Sequence, residues 1–289
     1  MISRNVATCV ICTIVAPLMA VPAAAETTAS SSAYGLSADL TVANVAHAQV
    51  GPVSAVSGTA PDAYDKTSSV LTVNQNLALI STPILNVKQA LNASLLTSTA
   101  QSDYPATLDA SASATVATLS AGLTSKAILA PQLSLLGLAA TTIQSTAAID
   151  AANGLTAIGS TTIQGLSLTG LGLGGLSING SLFVNPDANT VLVDLLGLKI
   201  ILNEQIVTGD GISDLAIETN AIRASFTNFL LGTNLLNGDI IVGHSQAAIN
   251  GYTPMLGAVP EPSTWAMMLA GFGLIGFAAR GRRRNVALA

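Results

Sequence analysis

Apolar and polar positions alternate along most of this chain. Leu36, Ala38, Leu40 and Val42 fall on one face of an extended segment, and Ser37, Asp39 and Thr41 fall on the other. That two-residue period is the signature of a half-buried strand. It returns at Leu198, Ile200 and Leu202 against Lys199, Ile201 and Asn203, and at Ile222, Ala224 and Phe226 against Arg223, Ser225 and Thr227. Leu71 to Gln75, residues 111–120, Val191 to Val193 and Ile240 to Ile249 extend the series. Residues 84–96 fit two periods. Ile84, Val87, Leu91 and Leu95 are spaced for a helix, whereas Leu85, Val87, Leu91, Ala93 and Leu95 against Asn86, Lys88, Asn92 and Ser94 suit a strand. The β surroundings favour the strand. Gly51-Pro52, the cluster from Gly58 to Asp62, Gly209-Asp210-Gly211 and Asn237-Gly238-Asp239 read as turns, because Gly and Asn tolerate positive φ. Thr141-Thr142-Ile143-Gln144 recurs as Thr161-Thr162-Ile163-Gln164. One repeated tetrapeptide suits paired strands in one sheet better than a solenoid, which needs three or more units. The pattern predicts a mainly β body over residues 26–258, built as stacked sheets or a short β-solenoid.

Both ends leave this pattern. At the start, Arg4 precedes an apolar run from Val6 to Ala20, followed by Ala23-Ala24-Ala25. A positive residue, an apolar core and a small-residue cleavage site make a secretory signal. Residues 1–25 are therefore expected to be removed at Ala23 and Ala25 after export through the Sec translocon. Cys9 and Cys12 lie inside that run and are the only cysteines, so the mature chain is expected to hold no disulfide. Residues 26–33 read as a flexible polar leader.

At the other end, residues 259–289 place Pro260-Glu261-Pro262, an uncharged run from Trp265 to Ala279, and Arg280, Arg282, Arg283 and Arg284 in that order. Two prolines hold the triplet extended and exposed, Ser263 or Thr264 can cap a following helix, and Trp265 suits a membrane interface. As a helix the run is about 22 Å long, short of the roughly 30 Å hydrocarbon core. Flanking arginines and a thinned bilayer would accommodate one C-terminal hydrophobic helix, with the arginines cytoplasmic. Pro260, Glu261, Pro262, Trp265, Ala266 and the basic cluster closely resemble the PEP-CTERM sorting signal of Gram-negative bacteria. The resemblance implies an exosortase as processing partner and a polysaccharide-producing setting.

The body resembles the choice-of-anchor P proteins at Ala33-Tyr34-Gly35-Leu36, Leu202-Asn203-Glu204-Gln205, Thr219-Asn220-Ala221-Ile222-Arg223 and Asn237-Gly238-Asp239-Ile240-Ile241-Val242. Members carry various anchoring tails on a similar ectodomain. They often have histidine where Arg223 stands, so the resemblance carries no site to that position.

Composition narrows the chemistry. Hydrophobic residues make up 50% of the chain but aromatics only 3%, which suits a secreted β protein of small side chains more than a cytosolic enzyme. Fourteen of the fifteen acids but five of the ten bases lie between Glu26 and Val259. An acidic body repels phosphate backbones, which argues against nucleic acid as a partner. His47 and His244 are the two histidines. Each sits among small residues in an alternating segment and is expected to be a solvated or hydrogen-bonded strand residue. Gly170, Gly172 and Gly174 form Gly-x-Gly patterns without the strand–helix setting that binds a dinucleotide. Asp62 with Asp65, and Asp210 with Asp214, read as turn acids, far from the six to eight oxygens calcium needs. No catalytic residue, metal site or cofactor is expected. The chain therefore reads as an exported surface or matrix protein with a structural or adhesive role, held briefly in the inner membrane. A secreted enzyme acting on extracellular polysaccharide is the alternative, which convergent carboxylates in a cleft would favour.

Overall fold

A computed structural model describes residues 26–43, 45–82, 85–127, 131–170, 177–180, 184–231, 234–253 and 267–272. Among the described residues, fourteen strands form two antiparallel sheets. The first sheet holds β1 (Thr28–Val42), β2 (Ala46–Val53), β3 (Val56–Thr59), β11 (Thr190–Leu195), β12 (Leu198–Gly209), β13 (Leu215–Leu231) and β14 (Asn234–Asn250). Its order is β11-β12-β13-β14-β1-β2, with β3 also paired to β1. The second holds β4 (Tyr64–Ser81), β5 (Leu85–Ser102), β6 (Asp109–Ala127), β7 (Leu133–Asp150), β8 (Thr156–Gln164), β9 (Leu166–Thr169) and β10 (Ile178–Gly180). Its order is β10-β9-β7-β6-β5-β4, with β8 paired to β7. The sheets stack around one main core of Leu, Ile, Val and Ala from both layers, with Phe226 and Phe229 meeting edge to face. Each buried Leu or Ile there stabilises by roughly 2 kcal/mol. Stacked sheets, not a solenoid, are the architecture.

The recurring tetrapeptides lie on β7 and β8 and pair with each other, Ile143 opposite Ile163 and Gln144 opposite Thr162. Residues 85–96 are strand, as the β surroundings favoured. Four expectations need correction. The leader is not free: Thr28 to Ala33 belong to β1 and pair with β14 and β3. Ala29, Ser31 and Ala33 alternate inward there, a period hidden by side chains too small to register as apolar. Gly51 and Pro52 lie within β2, not in a turn. Asn237-Gly238-Asp239 lies within β14 rather than at a hairpin tip. Gly238 there has φ +127°, Asn237 Oδ1 accepts from Asn228 N, and the ladder slips between Phe226 and Phe229, so the glycine serves a bulge. Finally, the helix expected over Trp265 to Ala279 is described only at 267–272. The rest of that run lies outside the described residues, and among the described residues no helix is long and apolar enough to cross a membrane.

The strict alternation breaks in each long strand at one shared level across each sheet. In the first sheet the break runs through Asn203, Ala221, Gly243 and Gly35, which face one another across β12, β13, β14 and β1. Each shares its inward side with a neighbour: Leu202, Ile222, Val242 and Leu36 are buried beside them. A Cβ on Gly35 would stand 2.6 Å from Leu96 of the opposite sheet, and one on Gly243 would meet Ala221 at 3.1 Å and Ile143 at 3.4 Å. In the second sheet the break runs through Leu71, Leu95, Thr118, Thr141 and Gly165. Here the extra residue turns to solvent.

Candidate functional site

The break in the first sheet builds a polar cluster on its outer face. Shifting the alternation by one residue brings Glu204, Asn220, His244 and Tyr34 into a single row across β12, β13, β14 and β1. Glu218 and Arg223 flank that row on β13, and Asp239 lies further along β14. Glu204, Asn220 and His244 are buried despite pointing away from the core.

The bonding fixes each group. Asn220 Nδ2 donates to Glu204 Oε2 at 2.9 Å and to Glu218 Oε1 at 2.8 Å. Its Oδ1 then accepts from His244 Nδ1 at 2.8 Å. This places the proton of the neutral imidazole on Nδ1 and leaves the lone pair on Nε2. Tyr34 stacks on the His244 ring at 4.3 Å, tilted by 13°. Arg223 Nη1 donates to Glu204 Oε1 at 3.1 Å, and Arg223 Nε to Asp239 Oδ1 at 3.2 Å. Burial pushes His244 below its ordinary pKa, against the pull of Glu218. Burial also works against the charge of Arg223, yet Asp239 and Glu204 hold its pKa above the usual value. Burial raises the Tyr34 phenol. Three carboxylates against one guanidinium leave the patch net negative. A shallow depression lined by Ser32, Tyr34, Val56 and Ser57 adjoins it. Such a surface offers hydrogen bonds to hydroxyl or ammonium groups and disfavours polyanions.

Among the described residues no group of His, Cys, Asp and Glu is arranged to hold a metal ion. Two carboxylates converge at one end of the second sheet, where Asp109 and Asp150 line a depression. Both are engaged in their own loops: Asp109 accepts from Asp103 N and Thr107 Oγ1, and Asp150 from Ala152 N. Asp210 is a turn acid, accepting from the backbone N–H groups of Ile212, Ser213 and Asp214. Those bonds hold its carboxyl well below the usual carboxylate range. His47 is solvated and bonds Asp39 at 2.7 Å.

Pro260, Glu261, Pro262, Trp265, Ala266, the arginines from Arg280 to Arg284, and Ala23 with Ala25 all lie outside the described residues. The four body segments singled out in the sequence, by contrast, meet: each contributes to the row or its flanks. What pattern reading missed was His244 as their centre and Glu218 beside it. The available signal was the shared loss of alternation at Gly35, Asn203, Ala221 and Gly243.

Comparison with known proteins identifies the tail. Residues 258–284 match the PEP-CTERM protein-sorting motif. The chain matches no curated protein and no solved structure. The motif marks an exported protein targeted to an exosortase, with a membrane-associated sorting step.

Proposed function

We propose that the chain is a surface or extracellular-matrix protein of a polysaccharide-producing bacterium, with a noncatalytic structural or adhesive role. The sorting motif at 258–284 carries this reading. The fold supports it: Thr28 pairs with Asn250, and Thr27 Oγ1 donates to Gly251 O at 2.7 Å. The export segment and the sorting tail thus join the sandwich side by side at one end. The tail holds the chain in the inner membrane, an exosortase acts near Pro260-Glu261-Pro262, and the sandwich is freed for the matrix. The polar row on the first sheet is its contact with a neutral or amino-sugar polymer. The body is of the choice-of-anchor P type, a reading supported by the convergence of its four matching segments.

The test replaces Pro260, Glu261 and Pro262 with alanine and follows an epitope tag in the sandwich by cell fractionation. The full-length variant should stay in the membrane fraction while the parent is released. Equal release would make the triplet a mere linker. One observation favours the enzymatic alternative: the tautomer pinned by Asn220 leaves His244 Nε2 able to take a proton. Polysaccharide cleavage by the released protein that is lost in His244→Gln would establish that reading instead.

A further inference from the structure

We infer that β4 is a self-association edge, and that two copies of the chain join there by antiparallel pairing about a two-fold axis at Gln75. Among the described residues β4 pairs only with β5, so it ends the second sheet with one side of its backbone free. An exposed edge is a template for another strand. Proteins that must stay apart blunt such edges with charge, proline or short length. Strand β4 runs for 18 residues, and Ser69 to Ser81 contains no charge and no proline. The blunted part is the other end. Ser54 Oγ caps Ser68 O at 2.8 Å and Lys66 Nζ folds back onto Ser57 O at 3.0 Å.

The open stretch is also self-complementary. About Gln75, Asn74 mirrors Asn76, Val73 mirrors Leu77, Leu71 mirrors Leu79, Val70 mirrors Ile80 and Ser69 mirrors Ser81. Thr72 against Ala78 is the one unlike pair. The backbone is irregular on both arms: Leu71 lies on the break line and turns outward, while the ladder with β5 slips at Leu79, which turns inward, so the regular stretch runs from Thr72 to Ala78 about Gln75. A closed two-fold interface needs one patch that fits itself. An antiparallel pair centred on Gln75 sets Asn74 against Asn76 and Val73 against Leu77, each pair on one face, with Asn and Gln stacked at its middle. Roughly a dozen backbone hydrogen bonds would form along it. An uncharged seam also lets two acidic bodies meet without bringing like charges together there. This partner is a second copy, whatever the sorting tail does, so a failed release experiment would leave the inference standing.

The full-length chain in detergent and the released protein are each run by sedimentation velocity, with hydrogen exchange read on β4. The parent should be a dimer with slowly exchanging amides from Ser69 to Ser81. Gln75→Lys sets two like charges on the axis and should weaken dimerisation on the order of tenfold. Asn74, Gln75 and Asn76 are exposed, so their substitution spares the core, and an unchanged melting curve checks this. Asn74→Lys with Asn76→Lys should give monomers, whereas Asn74→Lys with Asn76→Asp sets opposite charges across the axis and should restore the dimer. A monomeric parent with freely exchanging β4 amides overturns the inference. So does a dimer indifferent to Gln75→Lys, or a monomer whose β4 amides are protected, since another segment of the chain then covers the edge.

Discussion

The two sheets carry the same irregularity on opposite sides. In each, the long strands insert one residue at a common level, and the two levels face each other across the core. The first sheet turns the extra residue inward and the second turns it outward. The residues follow from that choice. Inward positions have no room, and three of the four are Gly35, Ala221 and Gly243. Outward positions meet solvent and accept Leu71, which is 77% exposed, Leu95, Thr118 and Thr141. The inward shift has a second consequence. It turns Glu204, Asn220 and His244 into one outer row where the bonds of Asn220 and Arg223 bury them. No comparable network of ionised side chains forms on the described part of the second sheet.

The largest test of this contrast is steric. Gly35→Val should cost about 3 kcal/mol, because its branched side chain would collide with Leu96 from the opposite sheet. Leu95→Asn, at the corresponding outward position where φ is +37° and asparagine is well tolerated, should stay within about 0.5 kcal/mol. Urea unfolding of the two variants reads the difference, and equal losses would refute an inward/outward distinction.

A middle-sized effect is expected at the cluster. Arg223→Ala leaves Glu204, with only 9% of its side chain exposed, without its cation. A fully buried pair broken this way costs about 3–5 kcal/mol, but Arg223 is one-third exposed, so about 2 kcal/mol is expected. Glu204→Gln in the same background should recover part of it, as a double-mutant cycle would show.

The smallest effect is a pH dependence. Burial depresses the folded-state pKa of His244 below its ordinary 6.5. Above pH 6.5 the imidazole is neutral in both states and its contribution is complete. As the pH falls below that, the unfolded chain takes up the proton first and stability declines until the folded value is passed. The groups facing the ring are Tyr34, Asn220 and Glu218, and Glu218 offsets part of the loss. Melting temperature should therefore drop more steeply from pH 7 to pH 5 in the parent than in His244→Gln. Parallel curves would mean that the ring titrates alike in both states.

Local order was legible in the residues themselves. Alternation at Leu36–Val42, Leu198–Asn203 and Ile222–Thr227 depends only on the two-residue period of extended backbone. The Gly209–Gly211 turn depends only on local φ preferences. The sorting motif is read in linear order by another protein, so it too was visible. Where small hydroxyl residues carried the pattern, as from Thr28 to Ala33, the signal was lost, because alanine and serine differ too little in hydropathy to mark a buried face. Gly238 looked like a turn because positive φ serves a bulge equally well, and only the partner strands distinguish the two. The break lines, the burial of Glu204 and Asn220, and the meeting of Tyr34 with His244 were decided by tertiary structure. Each depends on cross-strand register and on what the opposite sheet leaves room for. The near-symmetry of β4 about Gln75 is written in the residues, but its standing as a free edge comes from the sheet order alone.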